Sequence, residues 1–160
     1  MTCVVFVGLP GSGKTTFYRT HFAGTHELIS KDAFPNAKDR ERRQRELLQQ
    51  ALRAGRSVVI DNTNPRVEDR APIIALARSY GAEVIGYFFD VSTRESVARN
   101  EARQGASKVP RVAIFTVAKR LRAPTYREGF DRLFRVRPLG RADASTSKYE
   151  FEVDELQGRA

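Results

Sequence analysis

The sequence predicts an α/β domain, a five-stranded parallel sheet flanked by helices. Short apolar, β-branched runs alternate along the chain with segments of helical periodicity, the pattern that wraps helices around parallel strands. The first run, Cys3–Gly8, is apolar throughout, as a strand buried on both faces requires. It leads into a glycine-rich loop followed by helical residues, the strand–loop–helix order of a phosphate-binding unit.

The remaining elements follow in order. His26–Ser30 reads as a short second strand. Asn36–Ala54 reads as a helix with Leu47, Leu48, Ala51 and Leu52 on one stripe and Arg40, Arg42, Arg43 and Arg45 around the rest. Gly55 stops that helix, and Arg56–Asp61 forms the third strand. Asn64-Pro65 suggests an N-cap and a first-turn proline opening a helix to Tyr80. Gly81 ends it, and Ala82–Phe89 is the fourth strand. Thr93–Gln104 and Pro110–Leu121 are helical around a loop at Gly105–Val109, and Phe130–Val136 is the fifth strand. Pro138–Ser147 reads as a flexible connector, and Tyr149–Val153 alternates like an edge strand. Residues 1–138 are therefore expected to form the domain, with 139–160 as a C-terminal tail.

The 160 residues, 41% apolar and 29% charged, suit one globular domain. No apolar run reaches the ~18–20 residues that span a bilayer, and no basic leader precedes the first strand, so neither a membrane nor a secretory route is expected. A single cysteine, Cys3, excludes an internal disulfide and fits a reducing, cytoplasmic compartment. It is expected to lie inert in the first strand. Neither His21 nor His26 has metal-ligand spacing, and no D-x-D-x-[TV] phosphatase signature occurs. The 28 basic residues, 22 of them arginine, outnumber 19 acidic ones for a net +9. Residues 148–160 carry −2, which leaves +11 on the rest. Guanidinium groups grip phosphate bidentately, so the charge favours phosphate-bearing partners, although helix-face arginines also serve simply as solvated surface.

Gly8-Leu9-Pro10-Gly11-Ser12-Gly13-Lys14-Thr15 satisfies G-x-x-x-x-G-K-[ST]. The glycines let backbone N–H groups cradle phosphate oxygens, aided by the N-terminus of the following helix. Gly8, Pro10, Gly11, Ser12, Gly13, Lys14, Thr15 and Thr16 are the candidate ATP contacts, with Lys14 on the β- and γ-phosphates and Thr15 on Mg²⁺.

The acceptor must be sought after the second and third strands. Asp32, in Ile29-Ser30-Lys31-Asp32, sits where a carboxylate can take a proton from an attacking hydroxyl; it is also a good helix N-cap. In Asp61-Asn62-Thr63-Asn64-Pro65, Asp61 occupies the position of a Mg²⁺-supporting carboxylate. Thr63 can bond an acceptor phosphate, and Asn64 is expected to be an N-cap. Arg99 and Arg103 share one helix face beside Gln104–Lys108, as lid arginines over a triphosphate would, or as a solvated face in contact with Glu101.

Taken together, the chain resembles the kinase domain of the polynucleotide kinase-phosphatase family over roughly residues 3–136. The likeness is carried by Gly8–Thr15, Ser30-Lys31-Asp32, Asp61-Asn62-Thr63-Asn64-Pro65, Arg99-Asn100-x-x-Arg103, Val109-Pro110 and Ala123-Pro124-Thr125-x-x-Glu128-Gly129-Phe130. The resemblance implies a P-loop kinase fold with a helical lid, and an ATP- and Mg²⁺-dependent 5′-hydroxyl kinase acting on DNA or RNA ends in nucleic-acid repair. Asp32 would be its base, Lys14 and Arg103 would join it in catalysis, Arg99 and Arg103 would hold ATP, and Thr15 and Asp61 would hold the metal. Lys31 stands where the family often has arginine, and no arginine follows Asp32 closely. Arg40 and Arg43 are the candidate substitutes for the acceptor phosphate, beside Lys31, Asp61 and Thr63. Any 3′-phosphate removal or ligation would come from a separate phosphatase or ligase, and the chain is expected to act as a monomer or weak oligomer. Two other functions fit the P-loop. One is a small-molecule kinase of zeta-toxin or gluconate-kinase type, which a salt-independent turnover of a neutral sugar would favour. The other is an ATP-binding accessory domain, which would have no need of Asp32.

Overall fold

The computed structural model describes residues 1–105, 108–141 and 149–158. Its strands are β1 (Thr2–Val7), β2 (Glu27–Ile29), β3 (Val58–Ile60), β4 (Glu83–Phe89), β5 (Arg132–Arg141) and β6 (Tyr149–Glu155). Its helices are α1 (Lys14–His21), α2 (Arg40–Arg53), α3 (Val67–Ser79), α4 (Thr93–Glu101) and α5 (Arg111–Arg120). The strands form one sheet in the order β2-β3-β1-β4-β5-β6. The first five are parallel, as the alternation predicts, and β6 closes the edge antiparallel to β5.

Strand β1 is central, and its side chains divide between two cores with the period of two that a pleated strand imposes. Cys3, Val5 and Val7 meet Leu48, Ala51 and Leu52 of α2 and Ile73, Ile74 and Ala77 of α3. Val4 and Phe6 meet Phe17 of α1, Phe89 of β4 and Val136 of β5. Burial on both faces explains the unbroken apolar run and pushes the Cys3 thiol up to about 12, which leaves it unreactive. Among the described residues, no helix is long and apolar enough to cross a membrane.

Several boundaries differ from the sequence reading, each for a local reason. Helix α2 starts at Arg40 because Asp39 caps it, accepting from the Arg42 N–H at 2.9 Å; Lys31–Ala33 form a separate 3-10 turn. Asn64 is not an N-cap. It lies in the left-handed region (φ 43°) and spends its side-chain amide on the Phe6 carbonyl at the end of β1, at 2.8 Å. Helix α3 therefore opens two residues later, with Arg66 at the cap and Asp69 accepting from its N–H at 2.9 Å; Pro65 is left outside the helix. Helix α4 stops at Glu101 rather than Gln104. Strand β5 runs to Arg141, so the first residues of the expected connector are strand; its remainder, 142–147, lies outside the described residues, as do Ala106 and Ser107 of the expected lid loop.

Phe130 does not join β5. It folds over Gly86 of β4, where an added Cβ would lie 2.5 Å from Leu133 Cδ2 and 3.0 Å from Phe130 Cε1. Gly86→Ala is therefore expected to cost about 1–3 kcal/mol by overpacking this corner. A urea midpoint shift measures it, and an unshifted midpoint would show that Leu133 and Phe130 have room to yield.

Candidate active site

Parallel strands bring their carboxyl ends to one edge of the sheet, and the loops that follow β1, β2 and β3 meet there. The loop after β1 turns on Gly11 (φ 78°) and Gly13 (φ 97°), conformations that side chains rarely adopt. Its outer surface is also closely packed. A Cβ on Gly11 would lie 3.1 Å from the Ser96 carbonyl of α4, and one on Gly13 would lie 3.2 Å from the Phe151 ring of β6. The fourth helix and the edge strand thus both brace the loop.

Lys14 begins α1 and is buried, donating to the carbonyls of Gly8 at 3.0 Å and Leu9 at 2.7 Å. Burial, with Arg103 nearby, lowers its pKa to about 8 against the opposing pull of Asp61 and Asp32. Thr15 donates its hydroxyl to Asp61 Oδ2 at 3.1 Å, joining the start of α1 to the end of β3. Burial raises the Asp61 pKa, and Lys14, the Thr15 hydrogen bond and Arg103 oppose that rise. These oxygens are the hard donors a Mg²⁺ ion takes together with phosphate oxygens, and the glycine-lined turn leaves the backbone unscreened by side chains.

The string after β3 is a hub. The Thr63 carbonyl accepts from the Gly8 N–H at 3.0 Å, which ties the β3 loop to the phosphate loop. Asn62 accepts from the Lys31 N–H at 2.9 Å and donates to Gln44 of α2 at 2.6 Å, orienting the turn that bears Asp32. Asp32 itself projects into solvent, its side chain 96% exposed, with Arg40 at 3.6 Å. It lines a cavity of about 330 Å³ with Lys31, Arg40, Thr63, Arg66 and Arg120 among the other walls.

The structure therefore brings together most of the residues singled out in the sequence. Asp32 and Arg103 both act electrostatically on Lys14 and Asp61. The Arg99 guanidinium stands 3.8 Å from where a Gly13 Cβ would be and 5.8 Å from the Tyr149 ring centre. Arg43 is the exception. It points to Glu46 one turn along α2, 3.7 Å away, and is not among the residues lining the cavity. Lys31 lines it but is also paired with Glu41.

Sequence reasoning missed the supports. Buried Asn100 clips the segment after α4, its amide donating to the Val109 carbonyl at 2.7 Å and accepting from the Val109 N–H at 2.9 Å. Arg70 is fully buried in α3, bonded to Glu128 at 2.7 and 3.0 Å, to the Asn64 carbonyl at 2.9 Å and to the Arg122 carbonyl at 3.0 Å. The Thr125-x-x-Glu128 spacing was the available signal, since Glu128 also accepts from the Thr125 N–H at 2.8 Å. Glu128→Ala would leave the Arg70 charge buried and unpaired, at an expected cost of about 3–5 kcal/mol. Chemical denaturation reads this directly, and a loss below about 1 kcal/mol would mean that water replaces the carboxylate.

This fold and this loop define a nucleotide-binding P-loop domain of the kinase type. The chain belongs to the AAA domain family, which matches it over residues 3–124. It is similar to the bifunctional polynucleotide phosphatase/kinase of Schizosaccharomyces pombe, 29% identical over 133 residues, 79% of this chain and 31% of that protein. It thus spans about a third of that relative's length. Among solved structures it is similar to Chaetomium thermophilum Kti12 in complex with ADP-AlF3, with a TM-score of 0.66 and 19% identity over 88% of this chain and 91% of that one. A fungal RNA kinase gives a TM-score of 0.63 and 19% identity, covering 92% of this chain and 41% of its own. At these identities the structural likeness speaks for the fold.

Proposed function

We propose that this chain is an ATP-dependent polynucleotide 5′-hydroxyl kinase, transferring the γ-phosphate of ATP to the 5′-OH end of DNA or RNA in end repair. The observation that carries this reading is the exposed Asp32 carboxylate at the mouth of a cation-walled cavity, close enough to Lys14 to act on its charge. A base for a hydroxyl, a wall for a phosphate-bearing acceptor and a triphosphate cradle then stand side by side. The likeness to a polynucleotide phosphatase/kinase supports the choice of acceptor, and the net charge of +9 suits a polyanion.

In this mechanism the backbone of Gly8–Gly13, with Pro10 and Ser12 shaping the turn, cradles the phosphates while Thr16 follows on α1. Lys14 leaves its carbonyl partners for the β- and γ-phosphates, and Arg99 and Arg103 close from α4 and the residues after it. Thr15 and Asp61 would hold Mg²⁺, which supplies charge neutralisation on the phosphates when bound. Lys31, Arg40, Asp61 and Thr63 orient the acceptor. Its 5′-oxygen forms the new O–P bond as the bond to ADP breaks, and Asp32 takes the hydroxyl proton. A separate phosphatase or ligase would complete the repair.

The test is transfer of γ-labelled phosphate to 5′-hydroxyl DNA and RNA oligonucleotides in parallel, with 5′-phosphorylated oligonucleotides as the blocked control. Labelling that requires the free hydroxyl and falls steeply with salt supports the reading. Labelling of neutral sugars, or of nothing despite ATP binding, overturns it.

A further inference from the structure

The cavity beside Asp32 carries more positive charge than its own carboxylates offset. Its walls present Lys31, Arg40, Arg66 and Arg120 against Asp32 and Asp69. Three of the four cations already have acidic partners. Lys31 meets Glu41, Arg40 stands 3.6 Å from Asp32, and Arg66 grips Asp69 with two nitrogens at 3.2 and 3.1 Å. Arg120 differs: no carboxylate among the described residues lies within ion-pair distance of it.

Its backbone is also firmly anchored. Arg120 ends α5, where the helix terminus favours a cation. Two residues on, the Arg122 N–H donates to the Pro65 carbonyl at 2.7 Å, and the Arg122 carbonyl accepts from buried Arg70 at 3.0 Å. Arg70 simultaneously holds the Asn64 carbonyl, so the end of α5 is tied to the turn that forms the cavity wall. A guanidinium fork on an anchored backbone, facing a cavity with a base at its mouth, is suited to bidentate capture of an oxyanion.

We infer that Arg120 holds the phosphate group of the acceptor, the one attached to the sugar whose hydroxyl faces Asp32, and so selects phosphate-bearing acceptors over neutral sugars. This deepens the kinase reading above and rests on it for the position of the hydroxyl. It moves the phosphate contact from the α2 arginines, the substitutes that the family resemblance suggests, to the C-terminal end of α5. A cavity of about 330 Å³ is at the small end for ligand sites and suits a single nucleoside with its phosphate.

The experiment compares a nucleoside with its 3′-monophosphate as acceptors, using the wild-type chain, Arg120→Ala, Arg120→Lys and, as a lost-charge control, Arg42→Ala. Arg120→Ala is expected to lower kcat/KM for the 3′-monophosphate by about 10–100-fold, the range for losing a charged hydrogen-bonding pair, and to leave the nucleoside unchanged. Arg120→Lys restores charge without the fork and falls between; Arg42→Ala matches wild type. Equal losses on both acceptors, or none on either, overturn the inference. Calorimetric binding of the 3′-monophosphate without ATP separates it from the kinase reading. Binding that depends on Arg120 without any transfer upholds the phosphate site and sinks the kinase reading. Transfer indifferent to Arg120 does the reverse, and a wild-type chain that neither binds nor phosphorylates the 3′-monophosphate overturns both.

Discussion

Asp32→Ala is expected to lower phosphoryl transfer by about 10²–10⁴-fold, the usual contribution of a general base, while leaving nucleotide affinity and thermal stability nearly unchanged. The asymmetry follows from where Asp32 sits. Its carboxylate is almost wholly in solvent, and the 3.6 Å contact with Arg40 is an exposed pair of small energetic weight. The turn that carries it is held by other groups, the Ser30 hydroxyl on the Asp32 N–H and Asn62 on the Lys31 N–H. Removing the side chain therefore removes a proton acceptor and little else. Single-turnover transfer with bound ATP isolates this step from acceptor binding. A variant retaining more than about a tenth of wild-type transfer would strip Asp32 of the role of base.

Lys14→Met is expected to abolish nucleotide binding and at the same time stabilise the unliganded protein. Its ammonium is buried against two carbonyls, and desolvation holds its pKa near 8, well below the ordinary lysine value of 10.5. The unfolded chain therefore binds the Lys14 proton more tightly than the folded one. Between about pH 8 and 10.5 the wild-type protein should gain stability as pH rises, and below pH 8 the full cost of the buried charge applies. Methionine removes that cost, about 1–3 kcal/mol at pH 7 after allowing for the lost hydrogen bonds. The same titration acts on function in the opposite direction. Above pH 8 the free loop loses its ammonium and ATP binding must recover the proton, so affinity should fall by up to about tenfold per pH unit. Calorimetric titration of ATP across pH 7–10, with melting curves of both proteins, checks each part. A variant less stable than wild type at pH 7 would show that the Gly8 and Leu9 carbonyls need Lys14 more than burial penalises it.

Much of the candidate site's arrangement was legible because it is local. The phosphate loop is a contiguous string whose glycines, lysine and threonine have fixed separations, and its context of buried strand and following helix can be read from apolar pattern alone. Asp32 and Asp61 were legible for a related reason, as parallel strands place their carboxyl ends at one edge. Arg103 lies beyond the end of α4, so the shared helix face expected with Arg99 does not form, yet its charge still reaches Lys14. Asn64 was misread because Asn-Pro is a good local cap signal, and nothing local reports that a carbonyl at the end of β1 claims its amide. Arg43 was a candidate through the family resemblance, as a substitute for the arginine that follows the aspartate there, whereas the face on which it emerges from α2 depends on where that helix begins. Asp39 sets that start four residues later than expected.

The amino-acid sequence alone determined the strand–loop–helix unit and the parallel α/β architecture, and it singled out the residues proposed to hold a triphosphate. Each rests on short-range pattern: the period of burial, the backbone freedom of glycine and the ordinary charge of a side chain. Only the tertiary structure decided which distant groups face one another. It set Arg70 against Glu128, Asn100 around Val109, Phe151 against Gly13, and Arg120 in the lining of the same cavity as Asp32. The physical reason is that burial makes polar groups find partners wherever the packed chain offers them, and those of Asn100 and Arg70 lie 9 and 58 residues away in sequence.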